Sequence, residues 1–457
     1  MKTDTIAAIA TAMAGSGIGI VRISGEEAVS ITDQIFHMSG GKKLSDMETH
    51  TIHYGHIRDG EEVIDEVMVL LMRGPRSYTR EDTVEIDCHG GVYAMNRVLE
   101  TVLKNGAKIA GPGEFTKRAF LNGRLDLSQA EAVMDVIQAK NEYALRSSMS
   151  QLKGSVQKTI KEIRNDLIYE IAFIESALDD PEHISLDGYP QKLLGIVEKE
   201  QRSIDGLLKT SSDGKIIREG IETVIVGKPN AGKSSLLNLL VGENKAIVTD
   251  IEGTTRDILE EYITLHGITL KIVDTAGIRE TQDVVEKIGV SRAREAAKDA
   301  DLILYVVDSS TLLDENDEEI IEMLKGRKAI VLYNKTDLAS AVSMEALEER
   351  TSHPVIPISA KEETGITQLA ETIKSMFFSG KISFNDEVYI TNARHKEALE
   401  EAAQSLSMVR RSIEDGMPED FFSIDLMAAY ASLGKITGEE VGEDLVNEIF
   451  SKFCMGK

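Results

Sequence analysis

A glycine-rich segment, GKPNAGKSS at residues 227–235, lies between the β-branched run TVIVG and the apolar helical pattern SSLLNLLVG. Its spacing fits GxxxxGK[ST], which in a strand–loop–helix context is typical of a phosphate-binding loop. Backbone N–H groups of such a loop surround phosphate oxygens, while Lys233 reaches the β- and γ-phosphates and Ser234 offers its hydroxyl to Mg²⁺. This segment therefore predicts a parallel α/β domain that binds a nucleotide.

Three shorter motifs close later strand-like runs: DTAG at 274–277, NKTD at 334–337 and SAK at 359–361. In a doubly wound sheet, ligands bind at the carboxyl ends of the strands, where all of these motifs fall. Asp274 is placed to hold Mg²⁺ and Gly277 to lie near the γ-phosphate. Asp337 can accept hydrogen bonds from the ring N–H and exocyclic amine of guanine, which adenine cannot offer. The predicted nucleotide is therefore GTP.

The residues of these motifs expected to contact GTP are Asn230, Ala231, Gly232, Lys233, Ser234, Ser235, Asp274, Thr275, Ala276, Gly277, Asn334, Lys335, Asp337, Ser359, Ala360 and Lys361. Many small GTPases follow DTAG with a glutamine that orients the attacking water, but here the next residue is the apolar Ile278. Another group must therefore orient the water. The candidates are Glu280, Asp283 and Glu286, and the residues alone do not choose among them.

Changes of pattern along the 457 residues indicate several domains. Residues 1–120 alternate β-rich and helical runs, which predicts a small α+β domain. Residues 121–217 and 382–457 are mainly helical, and residues 218–381 form the α/β domain of the nucleotide motifs. We expect this GTPase domain to be inserted into a helical domain whose two parts pack together. Capping boxes are expected where helices begin, at Ser24 with Glu27 and at Ser128 with Glu131.

Charge and cysteine content exclude several kinds of protein. The net charge of -26 argues against a surface that broadly binds nucleic acid, so any RNA contact must be local or shared. Two cysteines cannot form a disulfide framework, and no apolar stretch approaches the ~18 residues of a membrane span. Cys454 lies in the ending CMGK, which lacks the aliphatic residues of a lipid-attachment box. We expect a cytoplasmic protein without a membrane anchor.

GKPNAGKSS, TDIEGTTRD, DTAGIRE, VEKIG and the ending CMGK together resemble the MnmE (TrmE) family of tRNA modification GTPases. The resemblance covers the whole chain and its domain order. It implies an enzyme that works with a flavin-containing MnmG-type partner. Together they would add an aminomethyl or carboxymethylaminomethyl group to C5 of the wobble uridine of certain tRNAs, using a folate one-carbon unit. The tRNA would bind mainly through the partner.

The resemblance also implies a homodimer in which a potassium ion replaces an arginine finger between GTPase domains. The implied K⁺ ligands are the side chain of Asn230 and backbone oxygens of Thr249, Ile251 and Thr254. The implied Mg²⁺ ligands are Ser234, Thr255 and Asp274. Thr249, Thr254 and Thr255 are thereby added to the GTP site. Glu286 matches the family's water-orienting glutamate, which selects it among the three acids and makes it catalytic together with Lys233.

By the same resemblance, the N-terminal domain dimerises and binds 5-formyltetrahydrofolate or a related folate. The positions that match its pocket are Arg22, Glu85, Arg124 and Lys457. This chain has Arg124 where the family pattern has lysine, which keeps the charge but changes the hydrogen-bond geometry. The tail is expected to fold back to the folate and to bring Cys454 there, either as a nucleophile or as a positional residue.

A regulatory ribosome-assembly GTPase without modification chemistry is the alternative. It would carry the same nucleotide motifs, and its flanking domains would only dock a target. It does not explain a folate-like pocket or a Cys-x-Gly-Lys ending, and such factors commonly carry basic RNA-binding segments that this acidic chain lacks. The modification enzyme is therefore the favoured hypothesis.

Overall fold

The computed structural model describes residues 4–38, 40–243, 261–273, 297–298, 300–378 and 388–456. The chain divides into two compact units. The terminal unit comprises residues 1–134, 151–197 and 404–457, and the central unit comprises residues 135–150 and 198–403.

A seven-stranded sheet in the order β3-β4-β5-β6-β2-β1-β7 forms the first part of the terminal unit. Its strands are β1 Ile6–Ile9, β2 Gly19–Ser24, β3 Phe36–Met38, β4 Thr51–Asp59, β5 Glu62–Met72, β6 Thr83–Cys88 and β7 Lys108–Ile109. The accompanying helices are Ala28–Ile35, Val92–Lys104 and Glu114–Leu121. Alternate side chains such as Val21, Ile23 and Val84 are buried in one core. On the opposite face a small cluster with Phe115 covers β1, and exposed or half-buried side chains leave the rest of that face open.

Two predicted helix starts are wrong, because the serines have other partners. The Ser24 hydroxyl lies buried in β2, where it donates to Glu81 Oε2 at 2.8 Å, and Glu27 caps the following helix without a side-chain hydrogen bond. In the second case the capping residue is Asp126. Its Oδ1 accepts from the Gln129 N–H at 2.8 Å, while Gln129 Oε1 accepts from the Asp126 N–H at 3.0 Å. The box therefore begins two residues before Ser128.

Helices complete the terminal unit and extend into the central unit. They are Leu127–Gln138, Glu142–Leu152, Ser155–Asp179, Tyr189–Glu219, Ala393–Glu414, Glu419–Thr437 and Glu443–Ser451. Helices Ser155–Asp179 and Glu419–Thr437 pack side by side, and the Arg164 guanidinium lies 4.0 Å from the Tyr430 ring centroid. Segments that precede and follow the GTPase motifs in sequence therefore share one core. In the described part of the chain, no helix has the length and apolarity required to cross a membrane.

The central unit is an α/β domain with a six-stranded sheet in the order β13-β12-β11-β8-β10-β9. Its strands are β8 Ile221–Val226, β9 Glu261–Leu265, β10 Ile268–Ile272, β11 Leu302–Asp308, β12 Ala329–Asn334 and β13 Val355–Pro357. Its helices are Lys233–Glu243, Glu315–Leu324, Met344–Thr351 and Ile366–Phe377. Among these strands, the edge strand β9 alone pairs antiparallel, with β10. The strands β11 and β12 are buried on both faces, as the sequence predicts for a parallel sheet between helices.

Candidate functional site

The phosphate loop connects the end of β8 at Val226 with the helix that begins at Lys233. Gly232 has a φ of +104°, and a Cβ there would lie 2.1 Å from Asn334 Nδ2. Glycine is therefore required at this position by backbone conformation and by the close approach of β12. Ser234 and Ser235 lie in the first helical turn, where backbone N–H groups have no intrahelical acceptors and can face an anion.

Lys233 is the partly buried cation of this loop. Its Nζ donates to the carbonyl oxygens of Gly227 at 2.7 Å and Lys228 at 2.8 Å. Burial lowers the pKa of Lys233, because the charged ammonium is partly removed from water. A partly desolvated cation at a helix start interacts more strongly with phosphate than a fully hydrated one does.

Asn334 joins three of the predicted motifs. Its side chain is almost completely buried, with 1% of the residue exposed. The Nδ2 group donates to the Ala231 carbonyl at 2.8 Å, and Oδ1 accepts from the Ala360 N–H at 3.2 Å. One amide group thus connects the phosphate loop, the NKTD motif and the SAK motif at the carboxyl edge of the sheet.

The base-recognition residues lie beside this junction. Ser359 Oγ donates to Asp337 Oδ1 at 3.0 Å, which fixes the orientation of that carboxylate. Lys335 adopts a φ of +64°, and its Nζ lies 2.5 Å from Asp308 Oδ2. Although burial disfavours the charged form of Asp308, hydrogen bonds from Lys335 and Ser310 outweigh it and hold the pKa of that carboxyl below its usual range. Lys361, the last residue of the SAK motif, is exposed.

Several predicted residues lie outside the described part of the chain. They are Thr249, Ile251, Thr254, Thr255, Asp274, Thr275, Ala276, Gly277 and Glu286, together with the alternative acids Glu280 and Asp283 and with Lys457.

A second cluster lies on the open face of the terminal sheet. Arg22 and Glu85 are opposite each other on β2 and β6, and Arg22 Nε lies 2.7 Å from Glu85 Oε1. Arg22 Cζ is 5.6 Å from the ring centroids of both Tyr78 and Phe115. Arg124 Cζ lies 4.6 Å from the centroid of the same Tyr78 ring, and Arg124 also donates to the Tyr78 carbonyl at 3.2 Å. One aromatic ring therefore lies near two guanidinium groups.

Tyr78 and Phe115 belong to this cluster but are not among the residues predicted from sequence. Tyr78 lies in the irregular segment between β5 and β6, and Phe115 has the pattern of an ordinary core residue of a helix. Only the three-dimensional arrangement brings their rings to Arg22. The sequence therefore contains no local signal that identifies them.

The C-terminal tail reaches the same cluster. The Gly456 carbonyl accepts from Arg22 Nη1 at 3.1 Å, and the Cys454 carbonyl accepts from the Gly113 N–H at 3.3 Å. Gly456 is buried at a φ of +83°, and a Cβ there would lie 2.3 Å from the Ile9 carbonyl oxygen. The side chain of Cys454 is exposed. Backbone contacts thus hold the tail beside Arg22.

Two protein-family models match this chain. The model of the MnmE helical domain matches residues 127–454, and the model of the N-terminus of GTP-binding protein TrmE matches residues 5–124. The chain belongs to the MnmE family. The resemblance found in the motifs is confirmed, as is the arrangement of an α+β domain, a helical domain and a P-loop α/β domain.

MnmE relatives match over the full length. The tRNA modification GTPase MnmE of Lachnoclostridium phytofermentans is 60% identical over 458 residues, covering 100% of both chains. The MnmE of Lysinibacillus sphaericus is 49% identical and also covers 100% of both. The MnmE of Bacillus subtilis is 48% identical and covers 99% of this chain and 100% of its own. Family membership thus includes both the terminal and the central unit.

Proposed function

We propose that this protein is a cytoplasmic GTP-hydrolysing enzyme of tRNA wobble-uridine modification. The observation that carries the proposal is the junction at Asn334, where three nucleotide motifs meet in a chain 60% identical over its full length to a tRNA modification GTPase. The enzyme adds an aminomethyl or carboxymethylaminomethyl group to C5 of the uridine. Domain limits of 1–120, 121–217, 218–381 and 382–457 are part of this proposal.

The nucleotide site accounts for GTP binding through its own residues. Asp337, oriented by Ser359, accepts hydrogen bonds from guanine, and the Ala360 N–H fixes the SAK segment beside the base by donating to Asn334 Oδ1. Lys233 and the N–H groups of the first helical turn receive the phosphates. The hydroxyls of Ser234 and Thr255 and the carboxylate of Asp274 are the hard oxygen ligands that Mg²⁺ prefers, and a bound Mg²⁺ neutralises charge on the phosphates.

Hydrolysis requires an oriented water and additional positive charge. We assign water orientation to Glu286, through a bridging water, because Ile278 cannot polarise water. Asn230 is exposed at the loop apex with a φ of +63°, so its side-chain oxygen is available as a cation ligand. K⁺ held there with backbone oxygens of Thr249, Ile251 and Thr254 stabilises developing negative charge.

The cluster of the terminal unit suits 5-formyltetrahydrofolate, which supplies a one-carbon unit when bound. Glu85 can accept hydrogen bonds from the donor edge of a pterin, and the half-buried ring of Tyr78 offers apolar surface, with the fully buried Phe115 packed nearby. Arg124 and Lys457 can pair with the ligand's carboxylates. The Cys454 carbonyl accepts from the Gly113 N–H in the tail, and we assign its exposed thiol either a chemical or a positional role in the folate reaction.

The open sheet face supports a homodimer. On that face Ile52 and Tyr54 lie opposite Leu70 and Met68, and Leu70 lies opposite Glu85. Ile52 is 62% and Tyr54 is 55% exposed, so an apolar strip borders the folate residues. Such a strip is characteristic of an association surface. An MnmG-type flavoprotein and tRNA complete the proposed assembly, with most tRNA contacts on the partner because this chain carries a net charge of -26.

Replacement of Asn230 by glycine tests the cation site. Glycine tolerates the positive φ of this position but removes the side-chain ligand, so the loop keeps its form. GTP turnover of the wild type should be about tenfold faster in K⁺ than in Na⁺ at equal ionic strength, and the variant should lose this difference.

Asn238→Ala is the matched control, because Asn238 is also exposed and lies on the helix that follows the loop. It should retain potassium stimulation. Equal turnover of the wild type in the two salts would contradict the assignment of K⁺ to this loop.

A further inference from the structure

Lys228, the second residue of the phosphate loop, is directed away from the nucleotide motifs and into a carboxylate pair. Its Nζ lies 2.6 Å from Asp317 Oδ2 and 2.9 Å from Asp314 Oδ2. Both acids belong to the start of helix Glu315–Leu324, for which Asp314 is the capping residue. The loop is thereby tied to a helix that carries none of the nucleotide motifs.

Asp317 is a firmly held partner. It is 1% exposed, and its Oδ1 accepts from the hydroxyl of the fully buried Tyr305 at 2.7 Å. Its Oδ2 also accepts from the Asp314 N–H at 2.9 Å. The hydroxyl of Tyr305 comes from the middle of β11, so the carboxylate is anchored to the central sheet. Burial opposes charge on Lys228, but the hydrogen bonds that its ammonium donates to the two acids outweigh this effect and raise the pKa of Lys228.

The backbone of Lys228 takes part in the nucleotide site itself. Its carbonyl oxygen accepts from Lys233 Nζ at 2.8 Å. The backbone carbonyl of Lys228 thus contacts the phosphate-binding Lys233. The side chain of Lys228 is fixed to the sheet through Asp317. A shift of Lys228 would move the carbonyl that Lys233 contacts and would move Pro229, which leads to the loop apex at Asn230.

We propose that Lys228 is a positioning residue, which holds the phosphate loop in its nucleotide-binding form through the buried Asp317–Tyr305 pair. The inference rests on the proposed GTP binding at this loop, and it assigns no contact between Lys228 and the nucleotide. Removal of a buried partner leaves an uncompensated charge, so loss of the lysine charge should loosen the loop.

Lys228→Met keeps the unbranched side chain to within one atom of its length and removes its charge. In the full chain, the dissociation constant of GDP should rise about tenfold, mainly through faster dissociation, because a loosened loop releases phosphate more readily. Lys228→Arg, which retains a cation, should recover affinity to within about threefold of the wild type. Tyr305→Phe removes the donor behind Asp317 and should accelerate GDP dissociation in the same direction by about threefold.

Lys271→Met is the matched control. Lys271 pairs with Glu222 at 3.0 Å near the beginning of β8, and its side chain is 20% exposed against 16% for Lys228. GDP dissociation is measured with a fluorescent GDP analogue, and thermal melting is recorded for every variant. Lys271→Met should leave GDP dissociation unchanged, whatever its effect on melting.

Equal GDP dissociation rates in Lys228→Met and Lys271→Met would overturn the proposal, even if both variants melted earlier, because that result indicates a purely structural ion pair. Failure of Lys228→Arg to recover affinity would overturn it as well. A wild type that does not bind GDP would instead contradict the proposed GTP site, so the two failures are distinguishable.

Discussion

Asp337→Asn is expected to weaken GTP binding by about 10²–10³-fold, the equivalent of two lost hydrogen bonds to a charged acceptor. The carboxylate can accept from both the ring N–H and the exocyclic amine of guanine. Asparagine offers one acceptor and one amine, and the amine would face the amine of guanine. Ser359 Oγ, which donates to Asp337 Oδ1 at 3.0 Å, can still donate to the asparagine oxygen. The effect is measured as a rise in the KM for GTP.

Xanthosine triphosphate separates loss of recognition from loss of folding. Xanthine has a carbonyl in place of the exocyclic amine, so the asparagine amine gains an acceptor and the variant should hydrolyse this nucleotide. Asp337→Ala, which offers neither group, should hydrolyse neither nucleotide well. An unchanged KM for GTP in Asp337→Asn would show that guanine is not held at the NKTD motif.

Gly456→Ala is expected to weaken the binding of 5-formyltetrahydrofolate by about tenfold, because a non-glycine residue at a left-handed φ costs of order 1–3 kcal/mol. The added Cβ would lie 2.3 Å from the Ile9 carbonyl and 2.7 Å from Ala10 Cα, in backbone that cannot easily give way. The tail would therefore leave its place beside Arg22. Calorimetric titration of the full-length protein with the folate measures the effect.

Gly442→Ala is the control for this titration. Gly442 lies before the last helix with a φ of -73°, and a Cβ added there would meet no atom within 4 Å. This variant should bind the folate as the wild type does. Equal folate affinities of Gly456→Ala and the wild type would show that the tail does not contribute to the folate pocket. Absence of binding by the wild type at millimolar ligand would favour the ribosome-assembly alternative.

The sequence predicts the central unit well because its signals are local. Each nucleotide motif directly follows a β-branched run, and chain connectivity alone places it at the carboxyl edge of the sheet. Asn334 illustrates the limit of this reasoning. The motif predicts that it contacts the nucleotide, but its bonds to Ala231 and Ala360 depend on how three strands align.

The error at the first helix start has a long-range origin. A serine followed three residues later by glutamate fits a capping box. The hydroxyl of Ser24, however, donates a hydrogen bond to Glu81 inside the sheet. The helix that follows Ser24 ends at Ile35, and Phe36 pairs with Ile57 of β4. Long-range partners decide both outcomes, and local patterns do not contain them.

The contact between Lys228 and Asp317 likewise depends on long-range partners that local patterns do not contain. Lys228 occupies a variable position of the phosphate-loop motif, and Asp317 looks like an ordinary first-turn acid of a helix. Their 2.6 Å contact and the hydroxyl of Tyr305 behind it exist only because β11 lies next to β8 in the sheet.

The most direct test of the central claim is the content of modified wobble uridine in tRNA. Bacteria that lack their own MnmE-family gene would express this chain, its Lys233→Ala variant or its Arg22→Ala variant at equal levels, and tRNA nucleosides would be analysed by mass spectrometry. The wild type should restore uridines that carry an aminomethyl or carboxymethylaminomethyl group at C5, and each variant should restore little. Unmodified wobble uridine with folded, GTP-hydrolysing wild-type protein would contradict the proposed function.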